Sequence, residues 1–154
     1  MNCKNDEQVK EAIKRAVEMT FMNMAFLDVM ETETISEIHY SHIIHITFSQ
    51  PVNGGMILYL PTECKKAIVE NIHASNWESL STDEIDDCLL EVLNVLAGNF
   101  LNHYCGKEIG HNMSFPEILF DESELPEKAH FAEFFFDAEG VGFKIGLCVS
   151  DDTQ

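Results

Sequence analysis

Between Ser81 and Tyr104 the apolar residues repeat with the spacing of an α-helix and cover more than half of its circumference. They are Ile85, Leu89, Leu90, Val92, Leu93, Leu96, Ala97 and Phe100. The opposite side, here called the polar strip, is narrow and consists of Asp87, Glu91, Asn94, Gly98 and Asn102. An ordinary half-buried helix has a broad, highly charged wet face. The narrow strip of short side chains therefore favours close docking of another surface.

Local signals predict the ends of two long helices. Ser81 followed by Glu84 is typical of a capping box, so the helix with the polar strip begins there. Asp6 can cap an earlier helix, whose apolar spacing continues to about Val29. Residues 30–37 are polar and predict a connector.

From His39 the apolar period changes to two, which predicts strands. Ile44, Ile46 and Phe48 alternate with polar residues, residues 49–55 predict a turn that contains Gly54 and Gly55, and residues 56–60 return as a second strand. Thr62 can then cap a short helix that ends near residue 74. Further extended segments are predicted at residues 113–120, around Pro116, and at residues 131–136 and 141–149.

A short internal echo relates the two hairpins. Residues 55–60 resemble residues 142–147, and a long helix precedes each hairpin. Two such halves would pack their helices on one side of a joint sheet. We therefore predict an α+β fold, with two long helices on one face of an antiparallel sheet built from two helix-plus-hairpin halves. Residues 1–154 are expected to form a single domain.

Composition narrows the classes of partner. The chain has 154 residues, of which 45% are hydrophobic, and a formal net charge of −18. That charge argues against nucleic acid and anionic membranes as partners. It is compatible with a basic or metal-carrying partner, or with a role in solubility alone. The polar start, the lack of a run of about 20 apolar residues and the scattered cysteines, expected to be reduced thiols, predict a cytoplasmic protein.

Familiar catalytic motifs are absent from the sequence. His39, His42 and His45 lie in a predicted strand, where His42 would point away from the other two, so we expect no metal site there. No nucleophile elbow, zinc-protease motif or phosphate-binding glycine loop occurs. The candidate chemistry therefore lies on the polar strip, unless the strip is only a solvated helix face.

The spacing of Asp87, Glu91 and Asn94, followed by Gly98 and Pro116, resembles the signature of the CheC/CheX/FliY chemotaxis phosphatases. Residues 48–61 resemble that family's glycine-containing hairpin, and the likeness extends over residues 44–120. The resemblance implies a phosphatase that removes phosphate from the aspartyl phosphate of a CheY-like receiver domain. It implies no cofactor of the protein's own, since the receiver brings its own Mg²⁺ and lysine.

The resemblance also implies roles for individual residues. Asn94 would orient the attacking water, Glu91 would pair with the receiver's lysine, and Asp87 and Gly98 would contact the partner. On the first helix, matching Glu18 to Glu91 puts Phe21 where a second asparagine would stand, so the chain resembles the single-site CheX branch. CheX-like proteins dimerise through their sheets, and the alternation of residues 141–149 permits an edge strand. The alternative is a non-catalytic module for receiver binding or dimerisation.

Overall fold

Helices cover one face of an antiparallel sheet. The computed structural model describes residues 7–33, 39–107, 110–125 and 131–150, which contain three α-helices and seven strands. The helices are α1 (Glu7–Ala25), α2 (Thr62–His73) and α3 (Thr82–Cys105). The strands are β1 (Val29–Thr32), β2 (Tyr40–Gln50), β3 (Asn53–Pro61), β4 (Asn112–Met113), β5 (Glu117–Leu119), β6 (Ala132–Ala138) and β7 (Val141–Ser150).

The two hairpins meet at the centre of the sheet. The strand order is β1-β6-β7-β3-β2-β4, with β5 also paired to β2, and every pairing is antiparallel. At the joint between the hairpins, Leu58 of β3 lies opposite Ile145 of β7. The sequence echo places these two residues at equivalent positions, so the halves are related by a local two-fold axis between them. The predicted fold class is confirmed, with the short α2 added to the two long helices.

The core lies between the helices and the sheet. Phe21 of α1 stacks on Phe143 of β7 with 5.0 Å between ring centroids, and Phe100 of α3 lies 6.3 Å from Phe48 of β2. All four rings are at most 3% exposed. The two long helices thus bury their apolar sides against both hairpins, which fixes α3 with its polar strip facing outward.

The outer face of the sheet is also partly covered. The chain leaves β5 beside β2 and re-enters the sheet at β6, beyond β3 and β7. Phe131, just before β6, lies over Gly146, where an added Cβ would be 3.4 Å from the Phe131 Cβ. Ile57 is fully buried and His45 is 7% exposed on this side. The sequence pattern predicted strands with one solvent-exposed face, but near the centre of the sheet the strands are buried on both faces.

The first helix is shorter than predicted. It ends at Ala25, because Phe26 adopts a left-handed backbone with φ of 56°. Val29, predicted to be helical, begins β1, and its residue partner is Ala138 of β6. The main-chain pairing with β6 overrides the local helical pattern and places part of the predicted polar connector in the sheet. The predicted cap, Asp6, lies outside the described residues.

The glycine pair lies in a strand rather than in the turn. The structure leaves only Pro51 and Val52 between β2 and β3, and Gly54 and Gly55 belong to β3. A Cβ added to Gly54 would lie 1.8 Å from the carbonyl oxygen of Cys148. Glycine is therefore required there by the close approach of β3 to β7, and the turn interpretation is wrong.

Three other expectations are corrected. Residues 141–149 are not an edge strand, because β7 pairs with β6 on one side and β3 on the other. Thr62 is the first residue of α2 and does not cap it; the N-cap is Pro61, which has no side-chain hydrogen bond to offer. Cys148 is disulfide-bonded, so it is not the reduced thiol that its isolated position in the sequence predicted.

Candidate functional site

The polar strip is held outward by a rigid, well-capped helix. The Glu84 main-chain N–H donates to Ser81 Oγ at 3.1 Å, and the Ser81 N–H donates to Glu84 Oε1 at 3.0 Å, which confirms the capping box. Hydrogen bonding to Ser81 lowers the Glu84 pKa. On the strip itself Asp87 and Glu91 are exposed, while Asn94 is half-buried. Two carboxylates and one carboxamide therefore face solvent from successive turns.

These three side chains line an open groove. The groove has a volume of about 500 Å³ and brings distant parts of the chain together: its lining consists of Asp87, Leu90, Glu91, Asn94, Phe115 and Pro116. Asn94 Nδ2 donates a long hydrogen bond of 3.4 Å to Glu91 Oε1. This contact orients the amide, and no described residue donates a hydrogen bond to the side-chain oxygen Oδ1 of Asn94. Glu91 thus orients the Asn94 carboxamide through its nitrogen, and the oxygen of the same group can accept a hydrogen bond from a water or a partner.

Strand pairing fixes the opposite wall of the groove. The Ser114 N–H donates to the Thr47 carbonyl at 2.8 Å, and the Thr47 N–H donates to Ser114 Oγ at 3.0 Å. After Phe115 and Pro116 the chain enters β5, which pairs with β2. Pro116 is therefore held against α3 by the sheet, and the structure brings it together with the predicted Glu91 and Asn94.

Gly98 follows Asn94 by one turn but does not line the groove. A Cβ added there would meet only the Met113 Cε, at 3.9 Å, which is ordinary van der Waals contact. Its backbone is helical and carries no positive φ. No described neighbour therefore requires a glycine at this position.

A second cavity lies on the other side of the strip. Its volume is about 310 Å³, and apolar atoms make up most of its surface, although four of the lining residues are His, Asp or Glu. The lining residues are Met24, Ile72, His73, Glu84, Asp87, Cys88 and Glu91. Burial raises the pKa of the Cys88 thiol, so this thiol stays neutral at ordinary pH. Asp87 and Glu91 line both cavities and thus form a polar ridge between them.

A partly buried chain of hydrogen bonds links α3 to the elements packed beneath it. Lys65 Nζ lies 3.0 Å from His42 Nδ1, and His42 Nε2 lies 3.2 Å from Asp86 Oδ1. Because an ammonium group can only donate, His42 accepts at Nδ1 and donates from Nε2–H. Burial lowers the pKa of Lys65, and Asp86 partly opposes that effect. The chain connects α2, β2 and α3. Sequence reasoning missed it because its members lie 23 and 44 residues apart.

The histidines of β2 and Phe21 of α1 lie outside the groove that contains Glu91 and Asn94. His42 and His45 lie on opposite faces of β2, and no group of three His, Cys, Asp or Glu side chains in the described ranges could hold a metal ion. Phe21, the counterpart of Asn94 on the first helix, is buried against Phe143. No helix in the described part of the chain is long and apolar enough to span a membrane.

Comparisons with known proteins agree on one family. The family model described as chemotaxis phosphatase CheX matches residues 42–138, which is more than half of the chain. No curated protein sequence matches the chain. Among solved structures, CheX from Desulfovibrio desulfuricans has 12% identity and a TM-score of 0.74, covering 93% of this chain and 99% of its own.

Two further structures share the fold. The CheX–CheY–BeF3–Mg²⁺ complex from Borrelia burgdorferi has 14% identity and a TM-score of 0.67, covering 92% of this chain and 97% of its own. Thermotoga maritima FliY has 18% identity and a TM-score of 0.61, covering 96% of this chain and 92% of its own. At these identities the structural likeness establishes the fold, and the family model establishes the membership. The chain belongs to the CheX family of chemotaxis phosphatases.

Proposed function

We propose that this protein accelerates hydrolysis of the aspartyl phosphate of a CheY-like response-regulator receiver domain, with Asn94 positioning the attacking water. The observation that carries the proposal is the open groove, in which a half-buried carboxamide projects beside an exposed carboxylate. An acyl phosphate is already reactive, so a helper protein needs only to hold a water in line with phosphorus. A carboxamide can do this because it donates and accepts hydrogen bonds without changing charge.

Glu91 is proposed to act as an anchor rather than as a base. Its carboxylate is exposed and orients the Asn94 amide, so it can also receive the lysine of the receiver's site. Asp87 adds a second negative charge on the same ridge, beside both cavities. The Mg²⁺ needed for the chemistry is proposed to come from the receiver. A CheX relative with this fold forms a complex with CheY, BeF3 and Mg²⁺, which supports a receiver as the partner.

The assembly and the location are part of the same proposal. We propose a homodimer formed through the edge strand β1 of the sheet, since β1 pairs only with β6 among the described strands and its Met30 is 65% exposed. Light scattering of the wild type and of Met30→Lys tests this, and a monomeric wild type refutes it.

A cytoplasmic location follows from the proposed partner, although a disulfide such as that of Cys148 is uncommon there.

The experiment charges receivers with a small phosphodonor and follows the loss of the phosphoryl group. Asn94→Ala should lose turnover but still bind a receiver loaded with BeF3 and Mg²⁺, because only the water is misplaced. Glu91→Ala should lose binding as well. The matched control is Asn102→Ala, which changes the same strip outside the groove and should behave as wild type.

One outcome favours the alternative. If the wild type binds the loaded receiver but leaves the lifetime of the phosphorylated receiver unchanged, the protein is a non-catalytic binding module. If every organism-matched receiver fails to bind, the receiver itself is the wrong class of partner.

A further inference from the structure

Phe115 is the most exposed large hydrophobic side chain in the described part of the protein. Its exposed fraction is 96%, yet it lines the groove that contains Glu91 and Asn94. The ring makes almost no use of the protein's own core, so folding does not explain its presence. Aromatic side chains are enriched at protein–protein interfaces, so a ring exposed at the rim of a groove is a candidate contact for a partner protein.

The backbone holds this ring in a defined place. Ser114, the preceding residue, is hydrogen-bonded twice to Thr47 of β2. Pro116, the following residue, restricts Phe115 to an extended backbone and itself lies in the groove wall. Little backbone freedom is therefore lost when a partner covers the ring.

Geometry and charge indicate which partner covers it. Phe115 and Asn94 line the same groove, so a surface that seats in this groove and brings a phosphoryl group to Asn94 lies beside the ring. The Asp87 and Glu91 carboxylates complement the Mg²⁺ and lysine of a receiver's phosphorylation site. Exposed charge pairs of this kind weaken with salt, whereas burial of an aromatic ring does not.

Resting on the proposed function, we propose that Phe115 is an apolar anchor for the receiver, packing against its surface beside the phosphorylated aspartate. The charges then guide the receiver and the ring holds it. Phe115 contacts the partner and not the reacting atoms, so it contributes affinity and leaves the chemical step unchanged.

The chain provides a matched control. Phe120, the residue directly after β5, is 92% exposed and does not line the groove. Its N–H donates to Glu124 Oε2 at 2.7 Å. Phe115→Ala and Phe120→Ala therefore remove the same side chain from equally exposed positions. Both variants should unfold at the wild-type temperature.

The test measures binding to a receiver loaded with BeF3 and Mg²⁺, at low and high salt. Phe115→Ala should weaken binding about 10- to 100-fold, as truncation of a central aromatic contact does, and Phe115→Leu should recover part of the loss. Phe120→Ala should bind as wild type. At saturating phosphorylated receiver, Phe115→Ala should keep the wild-type turnover.

The outcomes separate the anchor from the phosphatase. Equal affinity of wild type and Phe115→Ala overturns the anchor, as does an equal loss in Phe120→Ala. A wild type that binds without dephosphorylating the receiver refutes the proposed function, while the anchor is still decided by the binding measurement.

Discussion

Replacing Gly98 by alanine separates two reasons for which a glycine can stand in the middle of α3. Glycine in a helix interior is about 1 kcal/mol less favourable than alanine. The added Cβ would meet only the Met113 Cε, at 3.9 Å, so no steric penalty offsets this gain. The free energy of unfolding should therefore rise by about 1 kcal/mol, and Tm by about 2–4 °C for a chain of this size.

The same variant should be a poorer phosphatase. Gly98 is one turn from Asn94 on the polar strip, and the resemblance to the CheC/CheX/FliY family implies that it contacts the receiver. An added methyl group in a close protein contact costs about 1–3 kcal/mol. Binding of the receiver loaded with BeF3 and Mg²⁺ should thus weaken about fivefold or more, while the protein itself becomes more stable.

Thermal unfolding and receiver titration measure both effects on the same sample. The control is Gly106→Ala at the end of α3, where nothing lies within 4 Å of an added Cβ but φ is +104°. That variant should lose about 1 kcal/mol of stability, since a side chain disfavours this backbone, and should bind normally. If Gly98→Ala is less stable than the wild type, the conclusion that a Cβ fits at this position is wrong. If the variant is more stable but binds the receiver as wild type, Gly98 has no role in docking.

Two further predictions concern the sheet. Burial lowers the pKa of His45 below its ordinary value of 6.5, with Glu117 partly opposing this, so the unfolded chain takes up a proton first as pH falls. The contribution of His45 to the free energy of unfolding should be complete above about pH 6.5 and should decrease below it. Urea midpoints measured between about pH 8 and pH 5 should therefore fall less in His45→Gln than in the wild type. An identical fall in both proteins would contradict the assignment to His45. Gly54→Ala should lose about 3 kcal/mol because of its overlap with the Cys148 carbonyl, whereas Gly146→Ala, with its nearest contact at 3.4 Å, should lose less in the same assay.

Several features were predictable because short-range interactions decide them. The capping box of Ser81 and Glu84 acts over three residues, so the start of α3 could be located directly from the sequence. The alternation in β2 and β7 follows from the geometry of a strand, and the echo between the hairpins was enough to indicate two halves. The spacing of Glu91 and Asn94 likewise follows from the helix alone.

The errors concern features that depend on distant parts of the chain. Val29 continued a helical pattern, but its pairing with β6 draws it into the sheet. The alternation of residues 141–149 permitted an edge strand, yet two neighbouring strands place them inside the sheet. Main-chain hydrogen bonds to strands far away in sequence decided both, and local periodicity carries no information about them.

The same division holds for the site. The sequence by itself determined which side chains share the polar strip, because a regular helix fixes their directions. Only the tertiary structure decided that β2 and β5 hold Pro116 and Phe115 across from that strip, and that Asp86 is bound from behind by His42. The physical reason is that a groove needs two walls, and the second wall comes from segments whose position relative to α3 is set by sheet pairing and core packing.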